Sequence, residues 1–278
     1  MSIPDQEQIN HWLAVAREGI QTTWDAYRNG YYKKKNIPIQ SVYTGVAHDH
    51  ASLARAKFLN GDPLNEVRAE FTNAARHVLK SFTMAYDPTD PDYVGNRPPP
   101  PEFLGAAYGY VDWSAVSEVT FIEGVGYALM AADFDLARTL AQWLRDPGDG
   151  NLADIEINRY AHALASTLRD DIDGAKRLMT LQALGYEKKP VKGSGYRANY
   201  FTVSTALTGV LDDNEELFNQ GLLAQLNFYQ PYTRGEEKNT TREFICDFAV
   251  ALANLGLHRG LKVTVEYDTL PKRLLITT

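Results

Sequence analysis

The sequence predicts an all-α protein built from antiparallel helical hairpins. Three observations carry this: apolar residues recur at helical spacing over most of the chain, Asp, Asn or Gly punctuates the helices at short turns, and strand-like alternation is confined to the C-terminal tail. The whole chain, 1–278, reads as a single helical domain, with an N-terminal helix over 5–29 and a proline-rich loop over 87–111 as embellishments.

In chain order, Ile9, Trp12, Leu13, Ala16, Ile20, Trp24 and Tyr27 place one buried face on a helix over 5–29, with Asp5 and Gln8 as its capping pair. Residues 30–47, broken by Gly30, Lys33-Lys34-Lys35, Pro38 and Gly45, read as a connector. A helix follows from about His50 to Asn60. Gly61 ends it, and Asp62-Pro63 opens the next as N-cap and first helical residue, with Val67, Phe71, Ala74, Val78 and Phe82 inward. Periodicity stops between Asp87 and Val111, where Pro98 to Pro101 predicts extended chain.

Helix resumes near Ser114, with Val119, Ile122, Gly126 and Met130 on one face, and Asp133 starts another helix through Leu144. Residues 151–169 pair with 171–184, and 196–211 with 213–230, the latter opened by Asp213 and Glu216 in capping-box register. The last helix is expected from Thr240-Thr241-Arg242-Glu243, with Phe244, Cys246 and Phe248 inside it. Beyond it, Leu261, Val263 and Val265 alternate with Lys262, Thr264 and Glu266, predicting a short strand or extended arm. Turns near Asp133, Asp171 and Asp212-Asp213 fall about 40 residues apart, the period of a short helical-repeat stack. Capping residues at the turns of any antiparallel helical protein produce the same spacing.

Composition narrows function. A net charge of −7 argues against non-specific nucleic-acid binding, and no apolar run reaches the roughly 18 residues of a membrane span. One cysteine, Cys246, precludes an intrachain disulfide, and no secretion signal opens the sequence, so cytoplasm is expected. Chemistry is sparse. His48-Asp49-His50 holds metal-ligand residue types, but residues two apart on a helix do not share a face, and a surface turn is the plainer reading. Gly193-Ser194-Gly195 lacks the Gly-Lys-Ser/Thr ending of a phosphate loop, and Gly124-Val125-Gly126 fits close helix packing. No cofactor, metal or catalytic residue is expected, and no enzyme.

Acidic residues gather at the predicted turns, in Asp146 and Asp149, in Asp170, Asp171 and Asp173, in Asp212, Asp213, Glu215 and Glu216, and in Glu236 and Glu237. Stacked hairpins would align these tips into a negative rim able to steer a basic protein, although part of the pattern is capping and helix-dipole complementarity. Of sixteen tyrosines, Tyr196 and Tyr232 are among those beside predicted loops, where a ring and hydroxyl suit an interface or seal a loop.

Leu53-Ala54-Arg55-Ala56-Lys57-Phe58-Leu59-Asn60-Gly61 resembles a segment of bacterial immunity proteins. So do Asp112-Trp113-Ser114 with Glu118, Gly124, Ala128-Leu129-Met130 and Asp133 to Ala137, and the closing Gly260 to Val263 with Leu270-Pro271 and Leu274-Leu275. Together they are similar to the immunity 49 family, and more loosely to the polymorphic nuclease immunity proteins. The resemblance implies a helical, cytoplasmic antitoxin that covers the active site of a cognate toxin, a basic nuclease or other effector delivered by contact-dependent or type VI secretion. The expected toxin-facing residues are Asp170, Asp171, Asp173, Asp212, Asp213, Glu215, Glu216, Glu236, Glu237, Tyr196 and Tyr232. A helical-repeat scaffold for some other protein or peptide is the alternative.

Overall fold

The structure, a computed structural model, describes residues 4–95, 108–145, 155–189, 191 and 195–277. Where the sequence suggests one domain, the helices gather into two compact units, Ile3–Ala131 and Ala132–Thr278. The fold is all-α, with no strand among the described residues, and none of their helices is long and apolar enough to cross a membrane.

The first unit holds α1 (Gln6–Arg28), the single-turn α2 (Tyr31–Lys34), α3 (Ile39–Leu59), α4 (Leu64–Tyr86) and α5 (Glu118–Met130). Asp5 caps α1 by accepting from Gln8 N at 2.7 Å. Ile9, Leu13 and Ala16 then bury against Leu53 and Ala56 of α3, with Trp12, Ile20 and Leu59 at the margin. α3 and α4 form the central hairpin, and the expected stripe of Val67, Phe71, Ala74, Val78 and Phe82 is fully enclosed.

Most of the expected connector over 30–47 is helical, because α3 begins at Ile39 instead of His50. Its polar first turns conceal the buried face. Gln40 is wholly buried, satisfied in part by accepting Asp112 N at 2.9 Å, and Val42, Val46 and Ala47 lie on the same inner side. Asp62 does not cap α4. Its carboxylate takes the Asn60 amide at 2.6 Å, and Pro63 holds the cap position. Of the expected α5 face Ile122 and Met130 are buried, together with Phe121, Gly124, Val125 and Ala128, whereas Val119 is exposed and Gly126 meets open space. A methyl at Gly124 would collide with Val78, so this glycine lets α4 and α5 approach closely. Pro98 to Pro101, Asp146, Asp149, Gly193 and Ser194 lie outside the described residues.

The second unit holds α6 (Phe134–Ala141), α7 (Ile155–Leu168), α8 (Ile172–Lys188), α9 (Tyr196–Leu211), α10 (Glu215–Thr233) and α11 (Asp247–His258). α7 pairs with α8 and α9 with α10, and α11 packs on α9 and α10. One turn recurs before α6, α8 and α10: a residue at positive φ (Ala132, Asp170, Asp213) and then a side-chain cap (Asp133, Asp171, Asn214). Each cap accepts the amide three residues on, at 3.0 Å. The expected cap Asp213 is therefore the left-handed residue, and Asn214 is the cap. Aspartate and asparagine tolerate that conformation better than most residues.

The last helix also starts later than expected. Thr241–Phe244 is a single 3-10 turn, Cys246 stands at the cap of α11 instead of inside a helix, and burial pushes its thiol up to about 12. The tail is the extended arm of the two expected forms. Leu261 is buried, Val263 and Val265 are half-buried, and Lys262, Thr264 and Glu266 are exposed.

α9 and α10 meet at two glycines. A methyl at Gly209 would strike the backbone of Phe218, and one at Gly221 the backbone of Ala206. Replacing Gly221 by Ala is expected to cost about 1–3 kcal/mol in chemical denaturation, because packed backbone cannot yield. Gly126→Ala, facing open space inside α5, should instead stabilise by up to about 1 kcal/mol.

Candidate functional site

The turn tips of the second unit converge through ion pairs and hydrogen bonds. Arg259, just past α11, donates to Thr167 O and to Asp170, both at 2.7 Å, tying the α7–α8 turn to the end of α11. Lys176 in α8 reaches Asp212 at 2.9 Å, tying the α9–α10 turn to α8. Glu215 accepts Lys262 N at 3.2 Å, which draws the start of the arm to the same end. The result is one acidic edge carrying Asp170, Asp171, Asp173, Asp212, Asp213, Glu215 and Glu216, all exposed except the half-buried Glu215.

The expected rim is thus assembled only in part. Glu236, Glu237 and Tyr232 lie at or beyond the far end of α10, and Tyr196 at the start of α9 joins them there. α10 alone separates the two groups by about 28 Å at 1.5 Å per residue. At that far end Tyr196 lies tilted against Tyr200, Tyr232 lies against Phe228 and Tyr229, and Glu237 pairs with Arg242 at 3.3 Å. Tyr196 and Tyr232 therefore pack against neighbouring rings. The acidic edge is also less negative than its acids alone suggest, since Lys176, Arg259 and Lys262 sit within it. Among the described residues only Asp170 and Asp212 of these acids form ion pairs. Asp171 and Glu215 accept backbone amides, and Asp173, Asp213 and Glu216 are bound to neither a cation nor a backbone amide among the described residues.

Beside this edge lies a groove of about 660 Å³. Glu215, Glu216, Asn219, Gln220 and Leu223 of α10 form one wall, and Thr264, Val265 and Glu266 of the arm form the other. Asn219 sets the spacing of the walls: its amide donates to Lys262 O at 2.9 Å and accepts Thr264 N at 2.8 Å. Asn254 of α11 grips the chain in the same way further on, donating to Leu274 O at 3.2 Å and accepting Ile276 N at 2.9 Å. Sequence reasoning anticipated Glu215 and Glu216 but not Asn219, Leu223 or the arm as a wall. The alternation after Leu261 was the available signal.

His48, Asp49 and His50 do not converge. One turn of α3 sends them apart: His48 to Glu123 of α5 at 3.1 Å, Asp49 against Gly19 of α1, and His50 to Glu70 of α4 at 2.8 Å. Among the described residues no group of three or more His, Cys, Asp or Glu could hold a metal ion. His50 instead belongs to a structural cluster. It stacks on His77 of α4 at 5.2 Å between ring centroids, while Trp24 of α1 and Tyr43 of α3 also approach His77.

No protein-family model, curated protein or solved structure matches the chain.

The histidine cluster has a pH consequence. Burial, reinforced by the neighbouring His50, lowers His77 to about 4. Burial would raise Glu70, but hydrogen bonds from His50 and Lys57 outweigh it and hold the carboxyl at about 2. Below pH 6.5 the unfolded chain binds the His77 proton first, so stability falls as pH drops toward 4. Below about 4.5 the protonation of unfolded Glu70 extends the fall. Denaturant titrations from pH 7 to pH 2 should show this decline, and His77→Phe should flatten its upper part, between pH 6.5 and 4.

Proposed function

We propose that this chain works by binding another protein, and that it is an immunity protein which neutralises a basic toxin in the cytoplasm by covering its active site. The observation that carries the proposal is the acidic edge of the second unit, where Asp173, Asp213 and Glu216 project without ion-pair partners among the described residues. Such a surface steers a positively charged partner and accelerates its docking. A nuclease suits this edge, because an enzyme that grips phosphates presents a basic face to its substrate. The similarity to immunity proteins in Leu53 to Gly61 and Asp112 to Ala137 supports the same reading.

Capture of the tagged protein's partners from its native cells tests the proposal. One stoichiometric partner with a toxic domain is the expected result, and no partner, or an acidic non-toxic one, overturns it. With that partner in hand, Asp173, Asp213 and Glu216 changed together to lysine should slow association about tenfold or more at low salt. The deficit should shrink as salt rises, read by stopped-flow or surface binding kinetics.

A further inference from the structure

The arm is held along one edge and open further along that edge. In extended chain the N–H and C=O of every second residue point to the same side. Lys262 and Thr264 direct theirs to α10, where the Asn219 amide bridges Lys262 O and Thr264 N and Glu215 takes Lys262 N. Asn219 thus fills the place of a neighbouring strand for one repeat. Next on this side come Thr264 C=O and Glu266 N–H, which have no hydrogen-bond partner among the described residues.

The groove of about 660 Å³ runs along this stretch, a volume within the range of ligand-binding pockets. Its helical wall presents Leu223, which is 44% exposed, beside Glu216 and Gln220. Among the described residues no lysine or arginine lines it, while Glu215, Glu216 and Glu266 do. Glu215 is held on Lys262 N and Glu266 pairs with Lys272 at 2.5 Å, which leaves Glu216 as the carboxylate of the groove without a cationic partner among the described residues. Open backbone groups beside a groove are what an incoming extended segment pairs with. The unfilled edge and the cavity make the site, and the Glu216 carboxylate favours a basic occupant.

We infer that this groove binds an extended basic segment of a partner protein by strand addition to the arm. The segment's backbone pairs with Thr264 C=O and Glu266 N–H. A lysine or arginine side chain meets Glu216, and the apolar residues beside it cover Leu223 and Val265. The inference rests on the reading of this chain as a protein-binding module, and it holds whether or not the partner is a toxin.

The test uses the full chain, isotope-labelled for NMR, and a short capped peptide of alternating valine and lysine. Binding should move the amide signals of Thr264, Val265 and Glu266. A peptide N-methylated at alternate nitrogens keeps its charge but loses its donors, and it should bind about tenfold more weakly. Glu266→Pro removes the backbone donor from an extended position and should weaken binding further than Glu266→Gln, which keeps that donor and removes only the carboxylate paired with Lys272. Equal affinity for the methylated peptide reduces the site to ion pairing and overturns strand addition, as do shifts centred away from the arm. Self-association that Glu266→Pro abolishes assigns the edge to a second copy of the chain and overturns the peptide reading. Absence of any peptide binding overturns the groove's role, while the capture experiment independently decides whether the chain has a protein partner.

Discussion

Reversing a helix within three residues is the constraint on which the second unit depends. Ala132, Asp170 and Asp213 each take a left-handed backbone, and Asp133, Asp171 and Asn214 reopen the chain as caps. A helix end leaves carbonyls unpaired and the next start leaves amides unpaired, so both must be satisfied at once. Small polar residues do this best, and most of those chosen here are acids. The acidic edge is thus a by-product of helix reversal in Asp170 and Asp171, and an excess over it in Asp173 and Glu216.

Close approach is the second requirement. Gly209 and Gly221 let the backbones of α9 and α10 nearly touch, and Gly256 of α11 lies under the fully buried Phe218 ring. Larger residues would part these helices and spread the tips that Lys176 and Arg259 tie together. Packing in the interior and charge at the edge are in this way parts of one arrangement.

Much of this was legible in the sequence. Long stripes such as Val67 to Phe82, and the caps Asp5, Asp133 and Asp171, were readable because periodicity and capping are local. The start of α3 was hidden because Gln40 is polar yet buried, and its partner Asp112 lies 72 residues away. The interrupted start of α11 was hidden because Thr240 supplies a cap signal for a 3-10 turn as well as for a helix. At the site, Glu215 and Glu216 were visible as turn acids. That Glu236, Glu237, Tyr196 and Tyr232 lie at the opposite end follows only from the antiparallel course of α9 and α10. Asn219 as a clamp was invisible, since its partners are backbone atoms that leave no side-chain signature.

The two asparagine clamps have an evolutionary consequence. Asn219 and Asn254 recognise the arm through peptide groups, which every residue except proline offers alike. Lys262 and Thr264 turn their side chains outward and contribute only main chain to the Asn219 clamp. Mutation at these outward positions leaves the arm seated, so the surface they form is free to drift in pace with a changing counterpart while the scaffold beneath keeps its form.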